Sequence, residues 1–503
     1  MAYLLTKRGC EVAVFERGPE YPYPHSAQFR DHTAHMLPVP LNRLPHDLQG
    51  ATLSGDYQHD LERERPMVVG GSATIWLAET LRLNPHDFQT RSRYGYAADW
   101  PLSYEDLEAD YCHAEYLLGV SGTNADNPFA PPRSRPYPLP PFELSADDRI
   151  LADRLRAHGI VLHTAPQART RMPYETRPAC MNHGTCQVCP IGARYSPNYH
   201  LALAVATGLC TLHANTSVRR VRFDASGRAR ALVYRPNDGS ADVEWPADAI
   251  VVAAGAIESA RLLLLSTNVH APEGLTGGHV GRHLVLHHFW ENHLHYAEAF
   301  FPGSVGPATA RSHQFLDPPG RGRHGGIKVE FSSDDFFLQT DVLEDKTGTE
   351  IVEAVRDMRH WRVLSLHAET APGQYKFVAL SDKRDRFGDP FAHVQYTSAE
   401  FDYETYRFGQ GLLETFAAAT GADEIDRTAP VEYHSAAHHM GTCRMGTDAR
   451  DSVVDQFCRV HGSPNLFVVG GSNFAGSSAL QPTLTMVALA FRATRRLVDQ
   501  VST

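Results

Sequence analysis

"MAYLLTKRGCEVAVFERGPE" (1–20) decides how this chain is read. Residues 2–8 are good helix formers, and Gly9 supplies a C-terminal stop. Then "CEVAVFER" (10–17) makes a short apolar run with β-branched residues that ends at Glu16. A helix feeding a buried strand that ends in an acid is the back half of a dinucleotide-binding βαβ unit. There the carboxylate accepts hydrogen bonds from ribose hydroxyls. The front half, a strand and a G-x-G-x-x-G loop, has no counterpart ahead of Ala2. The expectation is a misplaced or truncated start, and a chain short of the backbone N–H nest that neutralises a pyrophosphate.

Three stretches further on repeat the strand-then-glycine pattern. In "RPMVVGGSATIWLAETLRLNP" (65–85), Val68 and Val69 run into Gly70-Gly71-Ser72-Ala73. Paired glycines let a backbone pass close to a flat or charged ligand. "ADAIVVAAGAIESARLLLLS" (247–266) reads as buried strand, glycine turn and helix, with Ile257, Ala260, Arg261, Leu264 and Leu265 at helical spacing. "PNLFVVGGSNF" (464–474) is again a buried strand meeting glycines, and "PTLTMVALAFRATRRLVDQ" (482–500) is a terminal helix.

The intervening sequence is more varied. An amphipathic helix is predicted over 102–120 with Ser103 as N-cap, and another over 147–159 stopped by Gly159. Residues 122–141 read as loop, and 215–236 as a hairpin around "ASGR". From 290 to 430 the texture changes. "HGGIKVEFSS", "WRVLSLHAET" and "KFVALSDKRDRFGDPFAHVQYT" are strand-like, and "YETYRFGQGLLETFAAATGA" is a long helix ending at Gly421. The fold class expected is α/β: a Rossmann-like nucleotide domain built from discontinuous segments, plus an antiparallel-sheet substrate domain with helices on one face. The boundaries expected are 1–100, 205–289 and 438–503 for the nucleotide domain, with 101–204 as a cap or substrate segment and 290–437 as the substrate domain.

Bulk properties narrow the class. The chain has 503 residues, too many for one ordinary core. It is 42% hydrophobic and 21% charged, with a mean hydropathy of −0.33, as soluble globular proteins are. A net charge of −11 argues against nucleic acid or an anionic membrane as partner. No apolar run has transmembrane length and no signal peptide starts at Met1, so a cytoplasmic protein is expected.

"HHMGTCRMGTDARDSVVDQFCRVHGSPNLFVVGGSNFAGSSALQPTLTMVALAFR" (438–492) resembles the C-terminal signature of the glucose–methanol–choline (GMC) flavin oxidoreductases. "VVGGSATIWLAETLRLNPHDF" is similar to that family's N-terminal flavin-contact segment, "IVVAAGAIESARLLLLS" to its second signature, and "CEVAVFERG" to its ribose-binding strand. "CMNHGTCQVCPIGARYSPNYH" (180–200) resembles the bacterial branch with pyranose oxidases, C-glycoside 3-oxidases and sugar dehydrogenase flavoproteins. The resemblance implies FAD held by Glu16, Arg17, Gly70, Gly71, Ser72, Ala73, Trp76, Val218, Ala254, Gly255, Gly470, Gly471, Pro482 and Thr483. Where the family often has Asp, this chain has Gly470. Ile75 stands where covalent-flavin pyranose oxidases carry a histidine, so non-covalent FAD is expected.

His438 falls on the family's H-x-x-G-T base. A histidine near neutrality suits removal of an O–H proton while hydride leaves carbon. His439 occupies a variable position. Gln481, in "ALQPTLT", stands where the family pairs the base with His or Asn, and is expected to hold the substrate oxygen. The substrate implied is a sugar or glycoside, and the electron acceptor oxygen or a quinone. Two other readings stay open: a dehydrogenase large subunit passing electrons to a quinone or cytochrome, and a truncated, flavin-free binding protein. Of eight cysteines only Cys180, Cys186 and Cys189 cluster. They have the count for a three-iron cluster, but the spacing departs from cluster-bearing subunits and Ala179 stands where those have another Cys. A metal-free loop is expected.

Overall fold

The computed structural model describes residues 1–35, 44–57, 61–182, 186–266, 277–300, 309–332, 345–426 and 434–501. The opening stretch folds as its pattern dictates. Helix α1 (Ala2–Thr6) ends before Gly9, whose φ of 79° few other residues tolerate, and β1 (Val12–Phe15) follows. Glu16 comes directly after it. β1 runs parallel to β4 (Cys210–His213), with Val12 opposite Cys210 and Phe15 opposite His213. A second parallel pair joins β8 (Ile250–Val252) to β17 (Leu466–Val468). Parallel partners cannot be joined by a tight turn, so each pair needs chain far apart in sequence.

The predicted hairpin is β5 (Thr216–Phe223) and β6 (Ala229–Pro236), extended by β7 (Val243–Pro246). Helix α2 (Tyr104–Leu118) starts where its cap predicts: Ser103 Oγ accepts from the Asp106 N–H at 3.2 Å, and Asp106 answers by accepting from the Ser103 N–H at 2.9 Å. It packs against the terminal helix α7 (Thr483–Val501) through Leu107, Tyr111, Leu118, Leu484, Ala488 and Leu489 in the largest core.

The second body is an antiparallel sheet of order β15-β9-β12-β11-β10-β3, with β16 also on β9. Its strands are β3 (His163–Thr164), β9 (His288–His295), β10 (Ala310–Ser312), β11 (Ile327–Ser332), β12 (Trp361–Ala368), β15 (Glu424–Asp426) and β16 (His434–Ser435). Side chains alternate between faces. Trp290, Leu294, Val329, Phe331, Leu364 and Leu366 share one face and a core with Leu412 and Phe416 of helix α6 (Glu400–Thr420) and Leu151 and Leu155 of α3 (Ala146–Ala157). The other face reads Glu291–Ser365–Glu330–Arg311 across one row and Phe289–His367–Lys328 across the next. Ser365, Glu330, Arg311, His367 and Lys328 are all buried, so this polar face is covered. Ionic groups are buried together where they pair, or where they line a site.

The strand-like run over 376–397 joins a different sheet. β13 (Lys376–Arg384) and β14 (Pro390–Tyr396) pair with each other and with β2 (Ala51–Gly55), which runs parallel to β14. The reason is packing: Val378, Ala392 and Val394 cluster with Tyr57, Leu61, Ile257 and Ala260, on the side of helix α5 (Gly255–Leu265). Among the described residues no helix is long and apolar enough to cross a membrane.

Several histidines are buried in neutral form. Burial pushes His163 on β3 down to about 4, and His200 on α4 (Pro197–Val205) also to about 4. Unfolded chain binds these protons near pH 6.5, whereas folded chain does not. Their contribution is complete above pH 6.5 and is lost as pH falls toward 4, by about 1.4 kcal/mol per pH unit for each histidine. Thermal melts at stepped pH should show the midpoint holding above 6.5 and dropping below it. A flat midpoint from pH 7 to 5 would contradict the assignment.

Candidate active site

Some of the expected cofactor residues lie just past the parallel strands: Glu16 follows β1, Gly255 comes soon after β8 and Gly470 soon after β17. Glu16 Oε1 accepts from the Gly18 N–H at 2.8 Å. Burial raises its pKa, partly offset by that hydrogen bond. A half-buried carboxylate held by backbone donors can still take hydroxyl donors as further partners. A Cβ on Gly18 would lie 1.8 Å from the Met67 carbonyl oxygen, so only glycine lets the Met67-Val68 backbone pass this close to the chain leaving β1. The Thr216 N–H donates to the Glu16 carbonyl at 2.8 Å, bringing β5 and Val218 alongside. Gly71, Gly255 and Gly470 have φ values of 59°, 75° and 112°, and a Cβ on any of them would meet nothing within 4 Å. Open space over those glycines, a half-buried acid and the N-termini of α5 and α7, at Ala254-Gly255 and Pro482-Thr483, make a cradle that fits a dinucleotide.

Arg17 and Trp76 are engaged by the protein itself. Arg17 donates to the Leu48 carbonyl at 2.8 Å and lies 3.6 Å from Glu258 in the first turn of α5. Burial opposes ionisation of Glu258, but Arg261, Arg65 and Arg17 outweigh it and hold its pKa at about 2. Arg17 thus ties β1 to α5. The Trp76 indole N–H donates to the Tyr195 carbonyl at 2.9 Å, and Ser72 and Ala73 lie in a 3₁₀ turn over Gly71–Thr74.

His438 reaches the site through a bulge. Val285 and Met440 exchange both backbone hydrogen bonds, and the same register sets His287 opposite His438. Beyond it the pairing shifts, with Ser435 opposite His288. The slack is absorbed at Ala436-Ala437, where Ala437 adopts φ 58°. The two Nδ1 atoms of His287 and His438 are 3.0 Å apart. Burial lowers the pKa of His438 well below the ordinary value, and His287 and His367 add to that effect. Burial does the same to His287, down to about 3, with His367 and Lys328 contributing. Both rings are therefore neutral near pH 7, and one Nδ1 must donate to the other. When His438 is the donor, its Nε2 keeps a lone pair directed away from His287, as a base requires.

His439 points elsewhere: its Nε2 lies 2.9 Å from the Tyr57 hydroxyl and 3.2 Å from Glu64. Gln481 is buried just ahead of α7, and among the described residues its Oε1 has no hydrogen-bond partner. The base-bearing turn is fixed to this loop region, because the Gly441 N–H donates to the Gly471 carbonyl at 3.0 Å. A Cβ on Gly471 would lie 2.5 Å from the His439 carbonyl oxygen. His434, a further histidine of this segment, is in β16 opposite Phe289.

Sequence reasoning missed the polar face of the sheet. His287, His367 and His438 bring ring nitrogens within 4.8 Å of one another. Behind His367, Glu330 Oε1 is 3.2 Å from its Nε2. Lys328 Nζ sits 2.8 Å from Glu79 and 2.5 Å from Glu330, and Arg311 bridges the same two acids. The signal was the alternation in "IKVEF" and "VLSLH", which sets Lys328, Glu330, Ser365 and His367 on one face. Cys180, Cys186 and Cys189 are free, partly buried thiols.

Family models described as GMC oxidoreductase match residues 150–289 and 373–490. The chain is 30% identical to the fructose dehydrogenase large subunit of Gluconobacter japonicus over 452 residues, 86% of this chain and 80% of that one. The chain belongs to the GMC oxidoreductase family. It is also 30% identical over 455 residues to the 6'''-hydroxyparomomycin C oxidase of Streptomyces lividus, 86% of this chain and 79% of that one. Its fold matches pyridoxine 4-oxidase from Mesorbium loti with a TM-score of 0.64 at 18% identity, across 98% of this chain and 96% of that one. Membership makes the chain an oxidoreductase acting on alcohol groups and implies FAD as cofactor, which the cradle residues fit.

Proposed function

We propose that this GMC oxidoreductase oxidises a secondary CH–OH of a sugar or glycoside, using non-covalent FAD. The observation that carries the reading is the neutral His438–His287 pair under a covered polar sheet face. FAD, when bound, supplies the hydride acceptor. The chain's own residues do the rest. His438 Nε2 takes the hydroxyl proton, while Nδ1–H donated to His287 fixes the tautomer and the ring. Gln481, buried with an unpartnered Oε1, holds the substrate oxygen or its hydroxyl. Ser365, Glu330 and Lys328 offer donors and acceptors to the remaining hydroxyls. Glu16, Gly70, Gly71, Val218, Gly255, Gly470 and Thr483 hold the cofactor. In this reading the flavin domain is 1–100, 205–289 and 438–503, and the substrate domain is 101–204 and 290–437.

The likeness to sugar- and aminoglycoside-acting relatives supports the substrate class. The fructose dehydrogenase relative also supports a second reading, in which this chain passes electrons to a quinone or cytochrome rather than to oxygen. Anaerobic mixing with a panel of sugars and glycosides should bleach the flavin with at least one of them. Reoxidation by oxygen against a quinone dye then separates the two readings. Acid precipitation should release all flavin to the supernatant. A yellow pellet would refute non-covalent binding, and failure of every sugar alongside success with a simple diol would refute the substrate class.

A further inference from the structure

We propose that His287, His367 and His438 form a binding site for a divalent first-row transition cation of the zinc class, taken up in competition with the alcohol substrate. Three ring nitrogens lie within 4.8 Å of one another, so the rings need to draw in by at most about 1.5 Å to hold a tetrahedral ion. Zinc–nitrogen bonds of about 2.0–2.1 Å set neighbouring ligands about 3.3 Å apart. The Nδ1 atoms of His287 and His438 already stand at 3.0 Å. The proton they share is what the cation replaces. His438 keeps its proton, moved from Nδ1 to Nε2, and His287 already carries its own on Nε2, so the exchange releases no proton from the pair. Neutral imidazoles are the ligands that zinc, copper and nickel prefer.

A second observation points the same way. Among the described residues His367 Nδ1 is buried with no hydrogen-bond partner, although the side chain is more than nine-tenths covered. Glu330, 3.2 Å from His367 Nε2, stands where a carboxylate orients a metal-bound histidine. With three protein ligands, the fourth position of the ion stays open. Zinc binding puts the His438 proton on Nε2, the atom that must accept from substrate, so the metal-bound form cannot act as base. This last step rests on the assignment of His438; the binding does not.

The test uses the purified flavoprotein and zinc alone. Equilibrium dialysis with elemental analysis should find one zinc per chain that is lost in His287→Ala and in His367→Ala. His367→Cys, which keeps a zinc ligand, should retain it, and this guards against loss through misfolding. Glu330→Gln should weaken binding by roughly 10–100-fold, the usual effect of removing a ligand's outer partner. Zinc that binds wild type and both alanine variants equally would overturn the site, as would no binding to wild type. Saturating zinc should also abolish substrate-driven flavin reduction. Zinc bound through these histidines with reduction unchanged would overturn the competition with substrate and remove His438 from the chemistry.

Discussion

His438→Ala is expected to slow substrate-driven flavin reduction by roughly 10²–10⁴-fold, the usual worth of a positioned base. Flavin content and folding should change little, because the flavin cradle is built from other residues. Anaerobic stopped-flow reads the rate directly, free of the acceptor half-reaction. Gln481→Asn provides the contrast. It shortens the amide by one methylene and keeps both donor and acceptor. A changed reduction rate at constant flavin content marks Gln481 as holding the substrate oxygen; lower stability with an unchanged rate per bound flavin marks it as a backbone partner. His287→Ala should lie between wild type and His438→Ala, since it removes the tautomer partner and leaves the base. If His438→Ala and Gln481→Asn both reduce at the wild-type rate, the base must be sought at His439 or His434. The bond network already argues against His439, whose Nε2 faces Tyr57 and Glu64.

The parts of the fold legible in sequence are those whose signals are local. Ser103 with Asp106 marks the start of α2, and the run into Gly255 marks β8 and α5. Each depends on residues within one turn or one strand. The glycines at the strand ends were legible for the same reason, since the left-handed φ at Gly255 and Gly470 is required by backbone conformation. His438 was legible only through its motif. Its partners were not, because the meeting of His287, His367 and His438 depends on sheet register and on the slip at Ala437. Alternation in β11 and β12 predicts two faces but not that the polar one is covered. That depends on Glu79, which arrives from the glycine-rich segment to meet Lys328 and Arg311. The separate sheet of β13, β14 and β2 was hidden likewise, since its parallel strand comes from 51–55.

Lys328→Met is expected to destabilise the protein by about 3–5 kcal/mol, the range for breaking a buried ion pair from one side. Lys328 and Arg311 balance Glu79 and Glu330, and all four are buried. Burial opposes ionisation of Glu330, but Arg311 and Lys328 outweigh it and hold its pKa well below the carboxylate range. Such a group adds stability above its unfolded value of about 4.3, lost as pH falls through the lower folded value. Without the lysine two carboxylates share one guanidinium, and one of them must take up a proton. The deficit of the variant should therefore shrink as pH falls from 8 toward 5, because that proton becomes easier to supply. Lys328→Met with Glu330→Gln restores the charge balance and should recover a large part of the loss. Thermal unfolding of the single and double variants, followed by circular dichroism and flavin release, checks this. A double variant no more stable than the single would mean that packing of the lysine stem, not charge, sets the cost. Apolar replacement of a complete buried ionic network is often neutral or stabilising. A stable double variant that no longer reduces its flavin with sugar would then show why the network is kept: its donors and acceptors face the substrate.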